Sequence, residues 1–321
     1  RDRRGRVMAP APTLEAVRSG GKPAVARVLA AIETKDGTIR HAAFLDAARA
    51  DPRGRVLGLT APPGVGKSTL TNVLISEARG RGESVAVIAV DPSSQRTHGA
   101  LLGDRTRLRT DPDDAQIFIR SFAARDRLGG LSDAAIAATV VMRAVYDLTI
   151  VETVGIGQSE ADIALVADTV LLCVQPGSGD SLQFMKAGVM ELPDVIAVTK
   201  ADLGAAARRA RADVEGALSL AADTDGWRPK VLMLSATDRS GFDDLRAALT
   251  EHRAWLDADG RLDRRRRAQE QAWVRDVLAD RFGRDGLEIW QSSPQAGTPD
   301  LPFERIAAAS AMLRTRLGRE A

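Results

Sequence analysis

The sequence is poor in the residues that most often carry metals and covalent chemistry. A single cysteine, Cys173, excludes an internal disulfide and any Cys-x-x-Cys pair. It lies in the apolar run 169–174 and reads as a buried core thiol. His41, His98 and His252 are scattered, so no His/Cys cluster has metal-ligand spacing. Long apolar runs are missing too. The best, 164–174, is broken by Asp168 and falls short of the roughly 18 residues of a membrane span. Aromatics make up 4% of the chain and its formal charge is +2, which argues against a nucleic-acid partner.

Lysine is scarce as well. Lys22, Lys35, Lys67, Lys186, Lys200 and Lys230 stand against 39 arginines among 45 basic residues. A GC-rich coding bias that turns surface lysine into arginine accounts for the ratio, and each retained lysine becomes a candidate for a place where a compact ammonium is needed. Arg1–Val7 precede Met8 and read as an upstream extension rather than a signal peptide. With its one cysteine, the chain is expected in the reducing cytoplasm.

What is present is ordinary globular material, 44% hydrophobic and 27% charged over 321 residues. Seven short, β-branched apolar runs punctuate the middle: 56–60, 84–91, 115–121, 148–153, 170–174, 195–199 and 231–235. Such runs are strands buried on both faces. Helical stretches such as 68–81 and 132–146 separate most of them, which predicts a doubly wound, mostly parallel α/β sheet. Residues 1–52 read as a helical extension, with Thr13 or Ser19 as caps and a helix over 24–32. Residues 53–250 read as the α/β domain and 251–321 as a helical arm packed on that domain or on a second subunit. Within the arm, Leu262, Ala272, Trp273, Val277 and Leu278 share an apolar side. The run Arg264–Arg267 reads as a solvated face rather than a nucleic-acid patch.

The segment Ala61-Pro-Pro-Gly-Val-Gly-Lys-Ser68 follows the first predicted strand and opens a helix. It matches the Walker A pattern with Ala61 in place of the first glycine. Gly64, Val65 and Gly66 would wrap a phosphate with inward N–H groups, and the helix N-terminus adds a favourable dipole. Lys67 would reach the β/γ-phosphates, and the Ser68 hydroxyl would bind Mg²⁺. Position 62 is proline, so the second lysine of partition-type ATPases is absent.

Val198-Thr-Lys-Ala-Asp202 ends a later strand and resembles the Asn-Lys-x-Asp guanine signature. The Asp202 carboxylate would accept from guanine N1–H and its 2-amino group, a donor pair that adenine lacks. The Lys200 stem would cover the ring, while Thr199 lacks the amide that tethers the loop. Ser235, Ala236 and Thr237 resemble the accompanying guanine loop. Asp91 and Glu152 are expected at the carboxyl ends of strands flanking the phosphate loop, where carboxylates hold Mg²⁺ or orient water. Asp104 is a third carboxylate of this group, and capping of strand ends is the competing role for all three. Gly155 would let the backbone approach the γ-phosphate and switch when it leaves.

In order, APPGVGKST, VDPSS, LGDRTR, ETVGIGQSE, PGSGDSLQ, KAGVMELPD and TKAD resemble the MeaB/ArgK family of P-loop GTPases, over about residues 20–280. The resemblance implies a GTPase chaperone of adenosylcobalamin-dependent acyl-CoA mutases, one that gates cofactor loading and protects the mutase. It implies a homodimer, with neither nucleic acid nor membrane as partner. It assigns phosphates and Mg²⁺ to Lys67, Ser68 and Thr69, the metal and water environment to Asp91, Asp104 and Glu152, and guanine to Lys200 and Asp202. Residues 176–183 with Lys186 would form an additional switch. Ile156 stands where Ras-like proteins place a water-orienting glutamine, which implies slow intrinsic hydrolysis. Gln158 is either its substitute or a structural side chain. Two other readings compete. A nickel-type metallochaperone would need His/Cys ligands, and a kinase would need an acceptor pocket.

Overall fold

The computed structural model describes residues 12–318 except 35, 63, 92–107, 109, 112, 125–130, 155–161, 178–191, 221–225 and 294–300. The chain opens with α1 (Leu14–Ser19), α2 (Gly21–Ile32), α3 (Gly37–Arg40) and α4 (Ala42–Ala50). Thr13 caps α1 by accepting from Ala16 N–H. Ser19 caps nothing there: it ends α1, and its hydroxyl donates back to Glu15 O.

There follow β1 (Arg55–Ala61), α5 (Lys67–Gly80), β2 (Val85–Asp91), β3 (Ile117–Ala123), α6 (Asp133–Val145), β4 (Leu148–Val154), β5 (Thr169–Val174) and β6 (Val195–Val198). Then come α7 (Ala205–Leu220), β7 (Lys230–Met233), α8 (Phe242–Asp257), α9 (Arg261–Gln291) and α10 (Pro302–Arg316). All seven expected strands form, in the order β3-β2-β4-β1-β5-β6-β7, and every pairing is parallel.

Alternation along the strands sorts the core into two faces. Leu57, Leu59, Ile150, Leu171 and Cys173 pack under α5 and α8. Val56, Ile88, Val151 and Val170 meet α2, α4, α6, α9 and α10, so both helical flanks share one core with the sheet. Leu172, Val174, Ile196 and Val198 are covered by α7. Within α9, Trp273, Val277 and Leu278 are buried as their spacing predicts, with Leu262 and Ala272 half-buried.

At the amino edge of the sheet one device recurs. Asp147, Asp168 and Asp194 each directly precede a strand, and each accepts a backbone N–H from the start of a neighbouring one. The donors are Ser84 at 2.8 Å, Val56 at 2.9 Å and Val170 at 2.7 Å. The last two carboxylates are clasped by α9. Arg266 forks onto Asp168 with both bonds at 2.8 Å, and Arg265 forks onto Asp194 at 2.9 and 2.8 Å. The run 264–267 is therefore not simply a solvated face: Arg264 and Arg267 are exposed, whereas the two between them are half-buried and spent on these aspartates. Burial pushes the Asp168 carboxyl up, but Arg266 outweighs it and holds the group below the usual carboxylate range. Asp194 shifts the same way; burial is opposed by the His252 ring and by Arg265.

Candidate functional site

The carboxyl edge is built differently. β1 runs buried to Ala61, and the chain then turns through Gly64 at φ 77° and Gly66 at φ 98°. A Cβ at either glycine would meet nothing within 4 Å, so the backbone conformation, not crowding, demands glycine. Val65 between them is buried and anchors the loop. Gly66 occupies the cap position of α5 without a side-chain cap bond, so a helix start free of a competing cap faces the loop.

Lys67, the first residue of α5, turns its ammonium back over the strand ends. Its Nζ donates to Thr153 O at 2.7 Å, on β4, and to Ala61 O at 3.4 Å, on β1. Ser68 is half-buried and Thr69 exposed on the same first turn. Glu152 is buried on β4, directly beside β1. The Thr71 hydroxyl lies 3.2 Å from Glu152 Oε2 and 3.1 Å from Lys67 O, so α5 fixes the position of this carboxylate. Thr71 carries no motif signature; its place one turn after Lys67, on the sheet side of the helix, is the signal that would have found it.

The strands flanking β1 are β4 and β5, not β2. Glu152 therefore sits on a flanking strand as expected, whereas Asp91 ends β2, one strand further out beyond β4. A strand order cannot be read from linear spacing, and that is why the expectation for Asp91 fails. The Asp91 side chain, Asp104, Gly155, Ile156, Gln158, Lys186 and 178–183 lie outside the described residues.

The proposed guanine loop is tied together by short bonds. The Thr199 hydroxyl lies 3.0 Å from Val65 O and 3.2 Å from Val174 O, so it links the glycine loop to the end of β5. The missing amide therefore does not leave this loop untethered. Lys200 adopts left-handed backbone at φ 55°, and its Nζ donates to Gln175 Oε1 at 2.6 Å. Asp202 is exposed in the turn that follows, with the Ser235 hydroxyl donating to its Oδ1 at 2.8 Å. Ala201 N–H donates to Leu234 O at 2.9 Å. The loops after β6 and β7 thus meet, with Ser235 buried and Ala236 and Thr237 exposed beside it.

Cys173 is a free, buried thiol that burial pushes up to about 12, which keeps it protonated and inert. Among the described residues no three His, Cys, Asp or Glu side chains group as a metal cluster. Mg²⁺ at a nucleotide needs less, one or two carboxylates or a hydroxyl beside phosphate oxygens, and Ser68 with Glu152 fit that requirement. Among the described residues no helix is long and apolar enough to cross a membrane.

Residues 25–286 match the family described as methylmalonyl-CoA mutase-associated GTPase MeaB. A Pyrococcus horikoshii protein named as a GTPase is 39% identical over 275 residues, covering 83% of this chain and 84% of its own. The Caenorhabditis elegans mitochondrial methylmalonic aciduria type A homolog is 34% identical over 276 residues, 82% of this chain and 68% of its own. The crystal structure of an LAO/AO transport system kinase superposes with a TM-score of 0.68 at 27% identity, covering 98% of this chain and all of that one. The phosphate loop, the paired guanine-type loops and these matches converge: the chain is a GTPase that belongs to the MeaB family of methylmalonyl-CoA mutase-associated GTPases.

Proposed function

We propose that this GTPase is the chaperone of an adenosylcobalamin-dependent acyl-CoA mutase, gating loading of the mutase cofactor and protecting the enzyme from inactivation. The carrying observation is the family match over residues 25–286, joined by a relative named for methylmalonic aciduria. In this reading Gly64, Val65, Gly66, Lys67, Ser68 and Thr69 hold the phosphates of GTP or GDP. Ser68 and Glu152, with Asp91 and Asp104, hold Mg²⁺ and orient water. Lys200, Asp202 and Ser235–Thr237 read guanine. When bound there, Mg²⁺ would supply charge neutralisation at the phosphates.

The protein groups divide the remaining work. The Lys67 ammonium, already set over the strand ends, meets the charge of the transferring phosphoryl group. Asp202, oriented by Ser235, takes the two guanine donors. Gly155 reports loss of the γ-phosphate to 176–183 and Lys186, which pass the change to the mutase. A homodimer built through the helical arm and a cytoplasmic setting complete the proposal.

Ile156 supplies no water-orienting amide, so the partner accelerates hydrolysis. The test adds a purified methylmalonyl-CoA mutase to this protein and follows GTP turnover. A rise of about tenfold or more is expected; an unchanged rate with every acyl-CoA mutase tried removes the chaperone reading while leaving the GTPase.

A further inference from the structure

On the sheet face carrying both helical flanks, a cavity opens between α4, α6, α9 and the start of α10. Arg49, Arg143, Arg266 and Glu270 bring charge to it, while Ile136, Val140 and Leu165 line it with hydrocarbon. It leaves about 30 Å³ for the centres of water-sized atoms. One water needs about 10–15 Å³ by that measure, so the space suits two or three small atoms.

The charges around it do not cancel. Arg49 is spent on Glu270, in a fork with both bonds at 2.7 Å, and Arg266 is spent on Asp168. Arg143 remains. It is 6% exposed, its buried Nε has no hydrogen-bond partner, and among the described residues no carboxylate lies within ion-pair distance of it. The Thr139 hydroxyl beside it donates away, to Ala135 O at 2.8 Å. Burial first, then Arg266, push the guanidinium down to about 10 against the longer-range pull of Asp168 and Glu270, so it stays cationic at neutral pH. Asp168 and Glu270 are each already forked by another arginine, so Arg143 is left one positive charge in excess without a direct partner, a costly arrangement in a core. Water would supply an acceptor but no charge. A small anion supplies both.

We propose that this cavity binds one small monovalent anion of halide size on Arg143, completing the charge balance of the clasp between the N- and C-terminal helices. The anion would join α6 to α4 and α9, whose own guanidiniums are already paired. It lies on the opposite side of the strands from α5, apart from the nucleotide loops, and does not depend on the mutase reading.

The test has two arms. Crystals of the full chain grown in millimolar bromide should show an anomalous peak within hydrogen-bond reach of the Arg143 guanidinium. Water-only density there, or a peak that requires molar bromide, overturns the proposal. In solution, chloride replaces gluconate at constant ionic strength and pH, and the thermal midpoint is read. At tenfold the dissociation constant the gain should be about 2–4 °C. Arg143→Met, which removes the excess charge and keeps the volume, should lose that gain. An equal gain in the variant overturns the proposal. If the variant does not fold, the bromide peak in the unmodified protein decides.

Discussion

The two edges of the sheet use polar side chains in opposite ways. At the amino edge, carboxylates close on strand N–H groups and on guanidiniums from α9, so their capacity is consumed inside the protein. At the carboxyl edge the partners are mostly backbone carbonyls: Lys67 on Ala61 and Thr153, Thr199 on Val65 and Val174. There the glycines face open space, and Asp202 stands exposed with one oxygen held. Satisfied charge pairs give rigidity, whereas a loop held through its carbonyls keeps N–H groups and an ammonium for a ligand. The expectation is a clean separation: damage to one edge is read in stability, damage to the other in turnover.

Asp168→Ala is the heaviest blow to the amino edge. It leaves Arg266 half-buried without its counter-charge and the Val56 N–H without an acceptor, and should lower unfolding free energy by about 3–5 kcal/mol. Denaturant titration at pH 7 measures it, and GTP turnover per folded molecule should hold. Because the folded-state pKa of Asp168 is depressed, the stabilisation of the unmodified protein is present above the unfolded carboxylate pKa, about 3.9. It is lost as pH falls through the lowered folded value. Asp147→Ala at the same edge removes an exposed carboxylate and should cost about 1 kcal/mol or less. Equal losses for the two would show that the clasp adds nothing to the strand-start device.

Lys67→Ala strikes the other edge. Removing the ammonium set over the phosphate loop should cut turnover by about 10²–10³, while the unfolding free energy moves by about 1 kcal/mol. Single-turnover hydrolysis beside a denaturant curve reads both quantities. A variant that hydrolyses GTP normally would show that Lys67 is held by Thr153 and Ala61 for structure alone.

The separation also explains what was legible in the sequence. Seven strands, and the loops proposed for phosphate and guanine, are legible because each is local: a run of β-branched residues, or a few side chains at fixed offsets around a turn. Strand order is not local, and Asp91 was accordingly placed one strand too close to β1. The arginine run 264–267 misled for a similar reason. Its partners, Asp168 and Asp194, lie 98 and 71 residues upstream of the arginines that hold them, and only the fold brings the forks to the strand ends. Arg143 was invisible too: within α6 it reads as one helix residue among others, and its isolation depends on the charges of two other helices, α4 and α9, being already paired.

Thr199 gives the smallest and most discriminating test, since its contacts belong to both kinds of edge: a structural bond within the ligand side. Its hydroxyl bridges the glycine loop and the end of β5, so it couples the proposed phosphate and guanine halves of the site. Thr199→Val keeps the branched shape and removes the donor, leaving two carbonyls without it, at a cost of about 1 kcal/mol. If the bond serves to hold the two halves in register for nucleotide, that loss should reach GDP binding, raising the dissociation constant about fivefold. Thr199→Ser keeps the hydroxyl and should restore affinity. If instead the bond serves only the fold, Thr199→Val will lower the unfolding midpoint and leave GDP affinity unchanged, and calorimetric titration alongside thermal unfolding distinguishes the two. An unchanged affinity would move Thr199 to the structural side and leave the loops coupled through Ser235 and Asp202 alone.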